Sequence, residues 1–220
     1  MRFPDRREAG RQLVQQLRHL QLVDPVVLAL PRGGVPVAFE VARALRAPLD
    51  LIFVRKIGAP GHAEFGLGAV VDGAHPQVVL NEETVDRLHV PPRYIREETE
   101  RQLREIERRR EHYLADRPPI DVAGRVAIVV DDGIATGGTV RAALKGLSRA
   151  RPARLILAVP VAPADMIDRL RTGADEVICL LTPEPFYAVG EHYDDFHQTL
   201  DREVTTLLDE AQRWTRECSP

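Results

Sequence analysis

A chain of 220 residues that is 44% hydrophobic can bury one substantial core, and no stretch of it approaches the roughly 20 uninterrupted apolar residues of a membrane helix. Its net charge of −3 gives nucleic acid or an anionic lipid surface nothing to grip. Its two cysteines, Cys179 and Cys218, make neither a disulfide framework nor a metal-ligand spacing.

The opening residues lead into a charged segment without the apolar run of a signal peptide, so the expected compartment is the cytoplasm. Of the 30 basic residues, only Lys56 and Lys145 are lysine, and Asn81 is the single asparagine. That bias fits a heat-tolerant source, and a GC-rich genome produces the same arginine excess.

In chain order, Leu13, Val14, Leu17 and Leu20 suggest an amphipathic helix. The first apolar run, Val26 to Leu30, is followed by Pro31-Arg-Gly-Gly34. Ala38, Val41, Ala42 and Leu45 then share one helical face at i, i+3, i+4 and i+7. A second strand is expected over Leu51-Ile-Phe-Val54, ending in Arg55-Lys56. Gly58, Pro60, Gly61, Gly66 and Gly68 punctuate an expected loop before Ala69-Val-Val71. Tyr94 to Ala115 reads as a long charged helix, with Glu97/Arg101, Glu100/Arg104 and Glu105/Arg109 at i, i+4. Acids interleave with Arg108-Arg-Arg110, which reads as a solvated face rather than a nucleic-acid patch.

The apolar run Val126 to Val130 ends abruptly in Asp131-Asp132. After a glycine-rich turn, Val140, Ala143, Leu144 and Leu147 resume helical spacing. Strands over Leu155–Val161 and Val177–Leu181 flank a short helix near Asp165 to Arg171. Phe196, Leu200, Val204, Leu207, Leu208 and Ala211 form one stripe of a docking helix. Short β-branched runs alternating with helical patterns predict an α/β fold with a mostly parallel sheet flanked by helices. Continuous apolar strands predict burial on both faces.

Val129-Val-Asp-Asp-Gly-Ile-Ala-Thr-Gly-Gly-Thr139 carries the most chemistry. A buried strand delivers two carboxylates to its C-terminal edge, where ligands bind in open α/β sheets. Gly133, Gly137 and Gly138 permit close backbone approach. The N–H groups of Ala135, Thr136, Gly137, Gly138 and Thr139 lie at a helix start, where orphan donors and the dipole favour phosphate. Carboxylates beside an anion cradle make sense if the ligand carries hydroxyls between its charges. The residues alone thus point to a sugar phosphate or a nucleotide. The segment lacks both the Walker pattern and the Gly-x-Gly-x-x-Gly of dinucleotide folds.

An apolar strand, two acids, three variable residues and Thr-Gly-x-Thr: the segment resembles the signature by which type I phosphoribosyltransferases bind 5-phosphoribosyl-1-pyrophosphate (PRPP). The resemblance covers about Val26 to Leu181. It extends to a stand-alone subgroup with a long helical insertion and a Phe-Tyr-Ala-Val-Gly-type segment. It implies that Asp131 and Asp132 hold the ribose hydroxyls and that Ala135 to Thr139 hold the 5′-phosphate. Pro31-Arg-Gly-Gly34 is placed to bind pyrophosphate through Arg32 and Gly33, in a loop that often carries a cis or strained peptide. Lys56 is similarly placed as a basic pyrophosphate ligand beside a mobile loop, and Glu64 is either a catalytic-loop acid or a surface one.

The implied architecture is a single domain over 1–220, with a helical insertion at about 82–118 and a small hood at about 182–195. The implied reaction displaces pyrophosphate from PRPP with a nitrogenous base. Mg²⁺ would come mainly through the substrate, with Asp131 assisting through water, and Arg32, Lys56, Asp131 and Asp132 are the expected catalytic group. Members using 6-oxopurines carry an acid where this chain has Ala135, which argues against hypoxanthine and guanine. In the hood, Phe186 or Tyr187 fits base stacking and core packing equally well. His62 and His192 are acid–base candidates, while Cys179 reads as core. Family precedent suggests a homodimer. A PRPP- or nucleotide-sensing regulator with the same fold is the alternative.

Overall fold

The structure, a computed structural model, describes residues 2–115 and 117–217. Cys218 and the side chain of Glu64 lie outside the described residues. The chain runs α1 (Arg6–Leu17), β1 (Pro25–Ala29), α2 (Gly34–Leu45), β2 (Leu49–Leu51), β3 (Val54–Ala59), β4 (His62–Val71) and β5 (Gln77–Leu80). It continues through α3 (Glu82–Arg87), α4 (Pro92–Leu114), β6 (Val126–Val130), α5 (Gly138–Arg149) and β7 (Arg154–Val161). α6 (Ala164–Leu170), β8 (Glu176–Leu181), a 3₁₀ turn at Val189–His192 and α7 (Asp201–Glu217) complete it.

Five strands form a parallel sheet in the order β2-β1-β6-β7-β8. β1 pairs with β6 in the register Leu28↔Val129, and β6 with β7 in the register Ile128↔Ile156. Alternate residues serve opposite faces, as the period of 2 requires. Val27, Ala29, Ile128, Val130, Ile156 and Ala158 pack against Leu13, Leu17, Phe39, Val204 and Leu208 of α1, α2 and α7. Val26, Leu28, Ala127, Val129, Leu155 and Leu157 pack against Val140, Leu144, Leu147 and Ile167 of α5 and α6. Both faces are covered, and this explains the unbroken apolar runs.

The glycine-rich stretch after β2 corrects the expected loop. β2 ends at Leu51, and Val54 begins a separate antiparallel sheet, β3-β4-β5, whose first two strands form a hairpin over Val54–Val71. The glycines punctuate this hairpin without breaking it. The register shifts around Gly58, and Gly61 turns the tip at φ +74°. A Cβ at Gly68 would stand 2.2 Å from the Val79 carbonyl oxygen of β5. Such bulges and close approaches read as loop signals in sequence. The C-terminal stripe is also trimmed: Phe196 and Leu200 precede α7 and are partly exposed, while Val204, Leu207, Leu208 and Ala211 are buried.

Arg110 corrects the reading of the long helix as solvated throughout. It is buried and donates to Asp50 (3.0 and 3.2 Å), to Asp72 (2.7 Å) and to the Leu51 carbonyl (3.2 Å). Asp50 also accepts the backbone N–H groups of Leu51 and Ile120. One guanidinium thereby ties α4 to β2 and to the residue after β4. Breaking such a buried pair from one side costs about 3–5 kcal/mol because the stranded charge stays desolvated. Arg110→Met should lower the free energy of urea unfolding by that order, and an unchanged midpoint and slope would refute the assignment.

Candidate functional site

The strand order places the site. From β1 the sheet grows outward to β2 on one side, while β6 lies on the other side and leads on to β7 and β8. Such a reversal leaves a crevice between the carboxyl ends of the two central strands. The loop after β1 and the turn after β6 both enter that crevice, tied by the Leu30 N–H donating to the Val130 carbonyl (2.9 Å). Contact between them is intimate: a Cβ at Gly33 would stand 2.1 Å from Asp132 Oδ2, and one at Gly34 2.8 Å from the Val130 oxygen. The peptide between Pro31 and Arg32 is cis.

Past the two acids, the turn is pinned by the Ile134 N–H to the Val161 carbonyl (2.9 Å). Gly137 has φ +68°, and a Cβ there would meet Met166 Sδ at 2.4 Å, so a side chain is excluded twice over. α5 then starts at Gly138 with no side-chain cap. Its first N–H groups therefore face outward beside the exposed Ala135, Thr136 and Thr139. An uncapped helix N-terminus is an anion site waiting for an acceptor.

Two cavities meet at Thr139. One, of about 210 Å³, is lined by Leu30, Pro31, Phe53, Arg55, Arg109, Asp131 and Thr139. The other is a groove of about 560 Å³ between the hairpin and α5, lined by Lys56, Gly66, Asn81, Gly138, Thr139, Arg141 and Lys145. The structure thus brings Asp131, Thr139 and the Pro31 loop together. It sets Lys56 in the adjoining groove, where Lys145, the other lysine of the chain, also lies. Arg32 turns away from both and donates to Asp201 of α7 (3.2 Å), which also accepts the Tyr113 hydroxyl (2.5 Å).

Burial pushes the Asp131 carboxyl well above the ordinary carboxylate range, and the Asp132 charge adds to it. Burial also raises Asp132, with Arg6 pulling it back. Asp131 accepts the Asp132 N–H (2.9 Å).

The segment at 182–197 folds over this turn. A Cβ at Gly133 would meet Val189 at 2.5 Å, and the Tyr193 hydroxyl donates to the Asp132 carbonyl (2.5 Å). Phe186 packs on the cluster that holds Val161 and stacks on His192 (5.4 Å between centroids), whereas Tyr187 is 74% exposed. Neither lines the two cavities. His62 is exposed at the start of β4. Burial pushes the Cys179 thiol up to about 11, consistent with a half-buried packing residue. Sequence reasoning missed Arg6 and Arg109, left Arg55 without a role, and took Tyr193 only as part of the candidate hood. Arg6 and Arg109 stand within no local motif, and each arginine is one among 28.

With this fold and these loops in place, the comparisons are decisive about class. The phosphoribosyl transferase domain matches residues 5–195, so the chain belongs to that family, and its fold is the type I phosphoribosyltransferase fold. A Mycobacterium tuberculosis (strain CDC 1551 / Oshkosh) protein named "Putative phosphoribosyl transferase MT0597" is 48% identical over 213 residues, covering 96% of this chain and 47% of that protein. The corresponding H37Rv protein gives the same figures, so the chain spans about half the length of the curated relatives it matches. The crystal structure of TT1426 from Thermus thermophilus is 44% identical with a TM-score of 0.84, covering 96% of this chain and 99% of that one. AQ2163 of Aquifex aeolicus, at 13% identity and a TM-score of 0.50 over 84% of this chain and 78% of that one, shares the fold.

An acid whose pKa is higher in the folded than in the unfolded chain holds extra protons when folded, so its contribution to stability falls as pH rises between the two values. Asp131→Asn removes that penalty, and its side-chain oxygen can still accept the Asp132 N–H. The variant should melt above the wild type at pH 8, with the gap closing as pH falls towards the ordinary carboxylate value of about 4. Melting below the wild type at both values would contradict a destabilising charge at this site.

Proposed function

We propose that the chain is a phosphoribosyltransferase that binds PRPP and moves its phosphoribosyl group to a nitrogenous base. One observation carries the reading: the paired acids and the uncapped α5 turn meet the Pro31–Gly34 loop in one crevice at the sheet's switch point. Hydroxyl-accepting groups thus stand between two anion-binding ones, the order in which PRPP presents phosphate, ribose diol and pyrophosphate. Asp131 and Asp132 accept from the ribose hydroxyls. Ala135 to Thr139 take the 5′-phosphate through backbone N–H groups and the Thr136 and Thr139 hydroxyls.

The pyrophosphate lies towards Gly33, with Arg32 and Lys56 swinging in from their present positions. Arg55 and Arg109 line the cavity beside Asp131 and supply charge there without moving, since charge-assisted contacts to phosphate are strong and often bidentate. In the reaction the C1–O bond to pyrophosphate breaks as a C1–N bond to the base forms. Pyrophosphate leaves with the electron pair, and the base nitrogen loses its proton. The protein's contribution is positioning and stabilisation of charge on the leaving group.

Mg²⁺ fits this site as a substrate-borne ion. Asp131 offers carboxyl oxygens at the wall of the cavity that also holds Pro31, where the pyrophosphate is read to lie. Magnesium keeps most of its waters and binds substrate phosphates. Asp131 would hold it through water, and the ion would supply charge neutralisation of the pyrophosphate. The reading takes 1–220 as one domain acting in the cytoplasm, as a homodimer, with a hood at about 182–195. Tyr187, exposed at 74%, is the better of the two hood aromatics for stacking on a base. Ala135 disfavours 6-oxopurines.

Titration calorimetry of PRPP with Mg²⁺ tests the reading. Binding by the wild type should be lost in the Asp131→Asn/Asp132→Asn double variant. Arg109→Ala should weaken it roughly ten-fold or more, the scale of one charge-assisted hydrogen bond. Folded wild-type protein that does not bind would overturn the proposal. The hold of Asp201 on Arg32 favours a second reading, a PRPP-responsive binding protein, which PRPP affinity without pyrophosphate release on any nucleobase would support.

A further inference from the structure

The groove of about 560 Å³ between the hairpin and α5 begins at Gly138 and Thr139, the first residues of the helix, and continues past Arg141, Ala142 and Lys145. Gly138, Arg141, Ala142 and Lys145 are spaced i, i+3, i+4 and i+7, so they share one flank of α5. At 1.5 Å per residue that flank carries the groove about 10 Å from the helix start. Lys56 of β3 belongs to the same lining, and among the described residues Glu82 is its one acid. Nearby arginines are already engaged: Arg55 donates to Gln102 (3.1 Å), Arg109 pairs with Glu105 (2.9 Å) and Arg149 donates to the Val78 carbonyl (2.6 Å). By contrast, Lys56, Arg141 and Lys145 are exposed, and among the described residues their side chains meet no carboxylate within ion-pair distance. Arg141 and Lys145 form a like-charge i, i+4 pair, which costs the helix stability rather than adding to it. An anion in the groove would relieve that repulsion.

PRPP does not call for this channel. Its 5′-phosphate ends at the Ala135–Thr139 turn, and its diol and pyrophosphate lie on the other side, towards Asp131 and Gly33. A nitrogenous acceptor attacks C1, at the far end of the ribose from the 5′-phosphate, so it does not reach the channel either. The group that would enter is one bonded to the 5′-phosphate itself and pointing away from the sugar. We propose that the groove is a subsite for the outer phosphates of a nucleoside 5′-di- or triphosphate. The α-phosphate takes the Ala135–Thr139 turn, and the β- and γ-phosphates lie along Arg141 and Lys145, with Lys56 completing the charge. The inference rests on the reading of that turn as a 5′-phosphate cradle and deepens it. The reaction read above yields a nucleoside 5′-monophosphate, which occupies the same turn. Its more highly phosphorylated forms bind where it does, with extra contacts, and exclude PRPP. The site is thereby inhibited by the phosphorylated descendants of its own product.

Titration calorimetry at constant ionic strength and without divalent cation tests this with two series: AMP, ADP and ATP, and UMP, UDP and UTP. Within a series the base and sugar contacts cancel, so the step in affinity reads the added phosphates alone. In at least one series the triphosphate should bind about ten-fold or more tightly than the monophosphate, the scale of one charge-assisted contact. The step should collapse in Arg141→Gln/Lys145→Gln. It should persist in Arg18→Gln/Arg46→Gln, which removes the same charge from the ends of α1 and α2 on the opposite face of the sheet. With Mg²⁺ restored, the triphosphate should raise the apparent Kd of PRPP, and raise it far less in the groove variant. Folded wild-type protein that binds all members of both series equally, or none of them, overturns the inference, as does a step that survives in the groove variant. Should the wild type fail to bind PRPP, the functional reading falls while the phosphate step still decides the role of the groove.

Discussion

The parallel pairing of β1 with β6 is the constraint on which the rest of this structure depends. Once Leu28 sits beside Val129, both strands end at the same edge, and their following loops must share one crevice. Parallel strands in a doubly covered sheet need crossovers, and the reversal of strand order between β1 and β6 leaves no helix to fill the gap between their ends. The Pro31–Gly34 loop and the Asp131–Gly137 turn converge there for that reason. Glycine at positions 33 and 34 is required because the facing carboxylate and carbonyl leave no room for a Cβ.

Around that edge, long side chains from distant elements set the electrostatics. Arg6 reaches Asp132 across 126 residues of sequence, and Arg110 reaches Asp50 across 60. Each guanidinium satisfies several acceptors at once, which its planar fork allows and an ammonium does not. Helix α4 is therefore more than a solvated arm. α4 delivers Arg110 to the buried acids, Arg109 to the cavity beside Asp131, and Tyr94 to the Gly58 carbonyl of the hairpin.

The sheet's composition also explains why the crevice can carry uncomfortable charge. Both faces of β1 and β6 are packed with aliphatic side chains, and that rigid support holds two adjacent carboxyls in a place where burial disfavours their ionised forms. Function at a strand end draws on stability supplied elsewhere in the sheet. The segment at 182–197 closes the turn from above through Val189 and Tyr193, so packing of that segment and geometry of the acids are one problem.

Much of this was legible in the amino-acid order alone, because the relevant forces are local. Strand and helix periodicity, the abrupt Val130-Asp131 boundary and the small residues up to Thr139 declare a strand, an acidic edge and an anion-binding helix start within eleven consecutive positions. The antiparallel hairpin was not legible, since glycines required by bulges and by close strand contact look the same in sequence as glycines that break a chain. Nor were Arg6, Arg55, Arg109 and Arg110 distinguishable among 28 arginines, for what separates them is the partner across the fold. Residue order therefore specifies the class of site and the elements that build it. Which charges face one another is settled in three dimensions, because pairing across tens of residues is set by sheet order and helix docking rather than by spacing along the chain.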